Sequence, residues 1–104
     1  MKIGEVVGTV VAPIQHPFYA GRTLLLVRPL DAAGKPRGRA IVAVDRARAG
    51  VGDRVLVLEE GSSARDLFGD PYAPVKSTVV GVIDEIELRG DVAYRATEHD
   101  FEAA

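Results

Sequence analysis

Short apolar runs, separated by glycines, prolines and charged residues, form the main hydrophobic pattern of this chain of 104 residues. Runs rich in Val and Leu are typical of β-strands, and glycine and proline are typical of the turns between them. The second strand is expected to stop before Pro29, because proline has no N–H group to donate to a neighbouring strand. The pattern predicts five strands, at residues 3–12, 23–28, 40–44, 54–58 and 76–85.

One short helix is predicted between the fourth and fifth strands, within residues 59–69. Ser62 or Ser63 is expected to cap its N-terminus, and Gly69 to end it. A helix of one or two turns is stable only when it packs against other elements. The predicted fold class is therefore all-β: a small five-stranded barrel, closed or partly closed, with one short helix between strands 4 and 5.

The C-terminal part of the chain is polar, and two interpretations of it stay open. Residues 92–95 could form one more short strand, or the whole tail could be irregular. The length of the chain suits a single domain. We expect one barrel domain over residues 1–86, followed by a C-terminal extension over residues 87–104.

Three of the predicted strands are apolar at consecutive positions, namely residues 24–27, 55–58 and 79–83. Successive side chains of a strand point to opposite faces, so each run places apolar groups both inside and outside the barrel. A large apolar surface on the outside usually marks a protein interface. The pattern therefore predicts self-association, unless loops and the C-terminal tail fold back over these strands.

Composition and charge exclude several classes of function. The formal net charge is -2, with basic and acidic residues interspersed, so no strong field attracts a phosphate backbone. The chain has no cysteine, which excludes disulfides and thiolate metal sites. The first residues reach charged residues and glycines before any long apolar run, so we expect neither a signal peptide nor a membrane span there. We expect a protein that binds neither membrane nor nucleic acid, and a cytoplasmic location is compatible with this composition.

The residues that could carry chemistry are isolated from one another in the sequence. Asp45, Asp53 and Asp84 lie at strand ends or turns, where aspartate usually accepts hydrogen bonds from nearby backbone N–H groups. His16 and His99 lack the spaced partners that a zinc site requires. Neither serine of the predicted helix cap lies in a nucleophile-elbow motif. We therefore expect no catalytic residue, no metal and no cofactor.

Five segments of the chain match one known pattern in order and at the right spacing. They are residues 4–12, residues 24–30 (Leu-Leu-Leu-Val-Arg-Pro-Leu), residues 43–55 with a Gly-x-Gly-Asp turn, residues 60–65 (Glu-Gly-Ser-Ser-Ala-Arg), and residues 74–84. A single Gly-x-Gly-Asp is common, but five segments in register are specific. Over residues 1–86 the chain resembles the EutN/CcmL family of bacterial microcompartment vertex proteins. Residues 87–104 lie outside this resemblance.

The resemblance implies an OB-like barrel that forms a homopentamer with a narrow passage on its five-fold axis. Such pentamers close the vertices of a shell that hexameric proteins otherwise tile, in carboxysomes or in metabolosomes. The implied role is structural and not enzymatic, and the implied location is cytoplasmic, in the shell of a microcompartment.

The resemblance also implies candidate site residues. The loop Gly61, Ser62 and Ser63 would lie near the five-fold axis and line the passage. Arg65 is either a solvated helix residue or a partner in an ion pair between subunits. The candidate interface residues on the strands come from the apolar runs and are Leu24, Leu26, Val80 and Val82.

Two other functions compete with this interpretation. An OB-like nucleic-acid binder would need a basic groove with aromatic side chains for stacking, whereas this chain is acidic overall and no strand carries paired aromatics. A small ligand-carrying barrel or enzyme accessory would need polar groups that converge on a cavity. No such set is visible in the sequence.

Overall fold

Seven β-strands and one α-helix make up the part of the chain that the computed structural model describes, which is residues 1–12, 16–70 and 75–96, without the side chains of residues 61–63. A single 3-10 turn, Pro17–Tyr19, precedes the second strand. The elements are β1 (Lys2–Val10), β2 (Leu24–Leu30), β3 (Ile41–Asp45), β4 (Arg54–Leu58), α1 (Gly61–Phe68), β5 (Thr78–Val82), β6 (Glu85–Leu88) and β7 (Asp91–Arg95).

The first five strands close into a barrel in the order β1-β2-β3-β5-β4, and β4 pairs again with β1. All pairs are antiparallel except β3 and β5, whose short parallel pairing joins Val44 to Thr78 and Asp45 to Val79. The predicted fold class, a small five-stranded OB-like barrel with one helix between strands 4 and 5, is confirmed.

Alternate side chains of the strands fill the barrel. The inward residues are at most 1% exposed, and they are Val6, Leu25, Val27, Ala43, Val55, Val57 and Val79. Close packing extends to the backbone at Gly4, where an added Cβ would overlap the Cγ1 of Val27. One buried side chain in the described part of the chain is polar: Thr78 is fully buried, and its Oγ1 has no hydrogen-bond partner there.

A second apolar cluster lies outside the barrel, under the 3-10 turn and α1. Phe18, Val44, Ala64 and Val75 are buried there, and the rings of Phe18 and Phe68 meet edge to face with centroids 5.1 Å apart. This cluster, which we call the outer cluster, holds the short helix on the barrel. Tertiary packing of this kind is what a helix of eight residues requires.

The predicted ends of α1 were half right. Gly69 ends the helix as predicted, with a left-handed φ of 67° and its N–H donating to the carbonyl of Asp66. The predicted serine cap is wrong, because Glu60 is the N-cap residue and both Ser62 and Ser63 lie within the first helical turn. The helix begins at Gly61, one residue before the serines, and Glu60 makes no side-chain capping bond. The start of the helix is therefore not set by a side-chain cap, which is the signal that the serines suggested.

The predicted stop at Pro29 is also wrong, because β2 continues to Leu30. The carbonyl of Pro29 accepts a hydrogen bond from Arg37 N at 2.8 Å, so the nitrogen of Pro29 faces the same side, away from β1. Pairing of β2 with β3 ends at Val27, so this side needs no N–H donor from Pro29. Proline is tolerated at such a strand edge.

The last predicted strand is divided in the structure. β5 ends at Val82, and the chain leaves the barrel to form a separate two-stranded hairpin from β6 and β7. Arg89 and Gly90 connect these strands with φ of 53° and 86°, the positive values that a tight type I′ turn requires. Of the two interpretations of the tail, the short strand near residues 92–95 is confirmed. Strand β6 runs across the boundary expected between residues 86 and 87.

Candidate subunit interface

An apolar row crosses the outside of the barrel from β2 to β5. Ile3 pairs with Leu30 and with Leu56, and Leu56 pairs with Gly81, so these four residues lie side by side on one face. Leu56 is 37% exposed, between two inward valines that are sealed. At the end of β5, Val82 is 38% exposed. We call Leu30, Ile3, Leu56 and Gly81 the outer apolar row; Leu30 is buried, Ile3 and Gly81 are half-buried, and Leu56 is exposed.

A second apolar patch lies on the β2–β3 side of the barrel. Leu26 pairs with Gly8 on one side and with Val42 on the other, and Val42 is 51% exposed. Gly8 adds no side chain to this face, so Leu26 lies next to an open backbone. The outer apolar row and this second patch are different surfaces of the same barrel.

The structure divides the predicted interface residues into covered and open positions. Leu24 packs against the outer cluster, as does Leu58, so loop and helix cover the strands there. Leu26 and Val80 are half-buried and Val82 is exposed. The alternative that loops fold over the apolar faces is therefore correct for one part of the barrel, and other outward positions stay open.

A groove of about 530 Å³ opens next to the outer apolar row, at the start of β1. Met1, Ile3 and Leu56 give it an apolar floor, and Lys2, Asp31 and Arg37 are its charged lining residues. Lys2 Nζ lies 3.0 Å from Glu59 Oε2. Arg37 is exposed and forms no ion pair with any described residue. We call this the N-terminal groove.

The residues predicted to line a passage form the start of α1. Gly61, Ser62 and Ser63 occupy its first turn, which the outer cluster fixes to the barrel through the buried Ala64. Their position near a five-fold axis stays a prediction. Arg65 is half-buried on the same helix, and within the described residues it forms no ion pair, so both of its predicted roles stay open.

A cluster of arginine and aromatic rings supports the loop before β2, and sequence reasoning missed it. The guanidinium of Arg22 lies 4.4 Å from the ring centroid of Phe18 and 4.7 Å from that of Phe68, and its Nε donates to the carbonyl of Phe18 at 2.8 Å. The guanidinium of Arg46 lies 5.2 Å from the ring centroid of Phe68. These contacts join the 3-10 turn to α1 over more than 40 residues, a separation at which no local pattern signals them.

The isolated polar residues have structural roles. Asp45 accepts hydrogen bonds from Ala47 N and Ala49 N, and Asp53 accepts one from Gly50 N, so the predicted turn bonds of these two aspartates are confirmed. Asp84 is exposed at the base of the hairpin. His16 is exposed and caps the 3-10 turn by accepting from Phe18 N at 3.1 Å. His99 lies outside the described residues.

Neither a metal site nor a membrane-spanning helix is found in the described residues. No three or more His, Asp or Glu side chains come together there as a possible metal site. No helix in the same part of the chain is long and apolar enough to cross a membrane.

A small closed barrel with apolar surfaces open in two places has the character of a subunit that packs against other proteins. Comparison with known families agrees. The family model described as ethanolamine utilisation protein EutN/carboxysome matches residues 1–84. The chain belongs to this EutN/CcmL family.

Relatives with known names are similar over most of their length. The bacterial microcompartment shell vertex protein EutN of Salmonella typhimurium is 38% identical over 94 residues, which cover 90% of this chain and 94% of that protein. The structure of Gloeobacter violaceus CcmL superposes with a TM-score of 0.83 at 37% identity, covering 91% of this chain and 97% of CcmL. GrpN of Rhodospirillum rubrum, a pentameric microcompartment shell protein, gives a TM-score of 0.75 at 36% identity, covering 85% of this chain and 99% of GrpN.

These alignments reach further than the resemblance seen in the sequence. Residues 1–86 are 86 of 104 residues, or about 83% of the chain, whereas the match to EutN covers 90%. The relatives therefore match part of the C-terminal hairpin, as well as the barrel.

Proposed function

We propose that this protein is a structural subunit of a bacterial microcompartment shell, and that it forms homopentamers that close the vertices of the shell. Its family membership supports this role, since relatives such as EutN and CcmL are named as shell vertex proteins. The pentameric state of GrpN supports the number of subunits. The location that follows is the shell of a microcompartment, of carboxysome or metabolosome type.

The open outer apolar row is the structural observation that carries this proposal. Leu56 is exposed although Val55 and Val57 on either side of it are sealed, so the barrel alone does not account for its position. A closed ring with cyclic symmetry joins two different surfaces of each subunit, one to each neighbour. The outer apolar row, which is open at Leu56, supplies one of these two surfaces.

Within the ring, the strand residues Leu26, Val80 and Val82 contribute apolar contacts between subunits, and Arg65 contributes an ion pair. Leu24 adds only the part of its side chain that the outer cluster leaves open. The partial exposure of Leu26, Val80 and Val82 supports their part in this contact. Gly61, Ser62 and Ser63 line the passage on the axis. The support for the passage is the family resemblance of this loop, together with its fixed attachment to the barrel.

Native mass spectrometry of the purified chain tests the number of subunits. We expect a dominant five-subunit species, and sedimentation velocity at micromolar concentration should give the same mass. A monomer, or a closed ring of another size, would reject the proposal.

The partners of the pentamer follow from the same role. Hexameric shell proteins surround the vertex and contact the outer rim of the ring. Co-expression with such hexamers should give closed particles, and omission of this chain should give particles with open vertices. Sealed particles without it would contradict the role.

The role is non-enzymatic, without cofactor, and without binding to nucleic acid. The distribution of charge supports the last point, since acidic and basic residues are interspersed along the chain and the net charge is -2. Fluorescence anisotropy with single-stranded DNA at low salt provides the measurement. We expect no binding in the micromolar range, and submicromolar affinity would favour the OB-like nucleic-acid binder instead.

A further inference from the structure

The C-terminal hairpin leaves the barrel with little support of its own. Neither β6 nor β7 is paired with a barrel strand, and the two form a separate sheet. Its base is attached where Ile83 N donates to Arg54 O at 2.8 Å and Arg54 lies 4.2 Å from the ring centroid of Tyr94. A two-stranded hairpin is marginally stable in water, so the rest of this one needs a further surface to pack against.

The two faces of the hairpin differ. Ile86 pairs with Tyr94 and Leu88 pairs with Asp91, and because alternate residues of β6 share a face, these four residues lie on the same side. Tyr94 contacts the barrel through Arg54. Farther out, towards the turn, Leu88 is 42% exposed and Asp91 is exposed without an ion pair to any described residue. This face therefore extends beyond the barrel and presents an uncovered leucine next to a free carboxylate.

The N-terminal groove offers the complementary surface. Its floor of Met1, Ile3 and Leu56 is apolar. Of its charged lining residues, Lys2 is paired with Glu59, and Asp31 Oδ1 accepts hydrogen bonds from Ala33 N and Lys35 N. Arg37 supplies a cation with no ion-pair partner among the described residues. Among the residues that line the groove, none belongs to the hairpin of the same chain. An apolar side chain next to a carboxylate fits an apolar floor next to an arginine.

We infer that the hairpin of each subunit packs on the next copy of the chain, with Leu88 in the N-terminal groove of the neighbour and Asp91 paired with its Arg37. This inference rests on the proposed ring, and it names the two surfaces that meet. A second copy is the occupant because every copy carries both surfaces, and because a cyclic ring joins unlike surfaces.

The overall charges of the two regions agree with this pairing. Residues 84–96 contain four acidic and two basic side chains, whereas residues 31–39 contain three basic side chains and one acidic side chain. Opposite charges across an interface fix its orientation and speed its formation. A hairpin that met its own kind in an isologous contact would bring like charges together.

Cross-linking between introduced cysteines tests this contact directly, because the natural chain has none. Subunits that carry both Leu56→Cys and Leu88→Cys are treated with a short bismaleimide and separated on a denaturing gel. We expect a ladder that ends at five chains, since each subunit is joined to the next. Bands that stop at monomer or at dimer would overturn the inference. The matched control is Leu56→Cys with Val51→Cys, an exposed valine in the turn before β4, for which we expect no ladder.

Charge reversal adds a second test that does not depend on cross-linking geometry. Asp91→Arg should give a pentamer that is half dissociated at a concentration about fivefold higher than the natural chain. Adding Arg37→Asp to the same chain should return this concentration to its original value. The control is Glu87→Arg, an acidic residue of the same hairpin on its other face, which should leave assembly unchanged. Equal effects of Asp91→Arg and Glu87→Arg would contradict the pairing.

The two levels of the proposal fail differently. If native mass spectrometry of the unmodified chain shows no pentamer, the proposed function fails. If the pentamer forms but Leu56 and Leu88 do not cross-link into a ladder, the ring stands and the placement of the hairpin is wrong.

Discussion

The inside and the outside of the barrel use the same kinds of side chain, but the chain buries the whole inside and only part of the outside. Val55 and Val57 of β4 are sealed, whereas Leu56 between them is open to solvent. In a free-standing antiparallel barrel, the outward position would be polar. One face of the strand therefore stabilises the fold, and the other is free for the assembly proposed above.

The largest expected effect is the difference in stability between a variant of the inner face and a variant of the outer face. Leu25→Ala removes a buried side chain from the barrel interior and should lower the free energy of unfolding by about 3 kcal/mol. Leu56→Ala, on the outer apolar row, should change the stability of the isolated subunit by less than about 1 kcal/mol. Urea denaturation at a concentration where the chain is monomeric provides the measurement. Equal losses for the two variants would remove the distinction between the faces.

The second effect is on assembly. Leu56→Asp should keep the β-rich circular dichroism spectrum but weaken the pentamer about thirtyfold, because a buried apolar contact at the centre of an interface contributes about 2 kcal/mol. Val51→Asp is the control, since Val51 is exposed in a turn outside the apolar row. Dilution followed by native mass spectrometry compares them. A stable pentamer in Leu56→Asp would show that this row faces solvent in the ring.

A third prediction concerns the polar exception in the interior. Thr78→Val replaces a fully buried hydroxyl that has no partner among the described residues, and should raise the free energy of unfolding by about 1 kcal/mol. Thermal unfolding followed by circular dichroism detects the change. A loss of stability would mean that this hydroxyl forms a hydrogen bond in solution. The barrel interior would then contain a polar contact, in contrast to the apolar packing described above.

The smallest effect is expected where the outer surface is covered within the chain. Arg22→Ala removes the cation between Phe18 and Phe68 and should lower stability by about 0.5–1 kcal/mol. Arg39→Ala, which changes an exposed arginine in the β2–β3 connection, should have no measurable effect. Denaturant titration gives the free energy of unfolding of both variants. Equal losses would mean that the loss of a positive charge, and not the loss of the contact with the two rings, causes the effect.

Sequence patterns predicted the barrel well where burial alone decides the structure. The strand at residues 54–58 has the predicted bounds, and the glycine at position 69 ends the helix as expected. The errors fall where long-range pairing decides. Pro29 stays in its strand because its partner on that side has already ended, and the sequence around Pro29 does not contain that information.

The candidate interface was predictable only in part, for a related reason. Consecutive apolar residues showed that both faces of three strands are apolar, but not which outward positions the chain covers itself. Leu24 is covered because it packs on the outer cluster, in which Ala64 and Val75 come from distant parts of the chain. The turn between β6 and β7 places Arg89 at a positive φ of 53°. Arginine has no preference for this conformation, so the sequence did not indicate a turn at this residue.

The parallel pairing of β3 with β5 has a consequence for how the subunit folds. It joins Val44 to Thr78, and the pairing of β1 with β4 joins Lys2 to Val57, so barrel closure depends on residues far apart in the chain. Folds of such high contact order form slowly, because the entropy of closing long loops is lost before the contacts form. The outward apolar surfaces take their final shape only after closure. In the proposed ring, each subunit is therefore expected to close its barrel before it binds a neighbour, so that only correctly folded chains assemble.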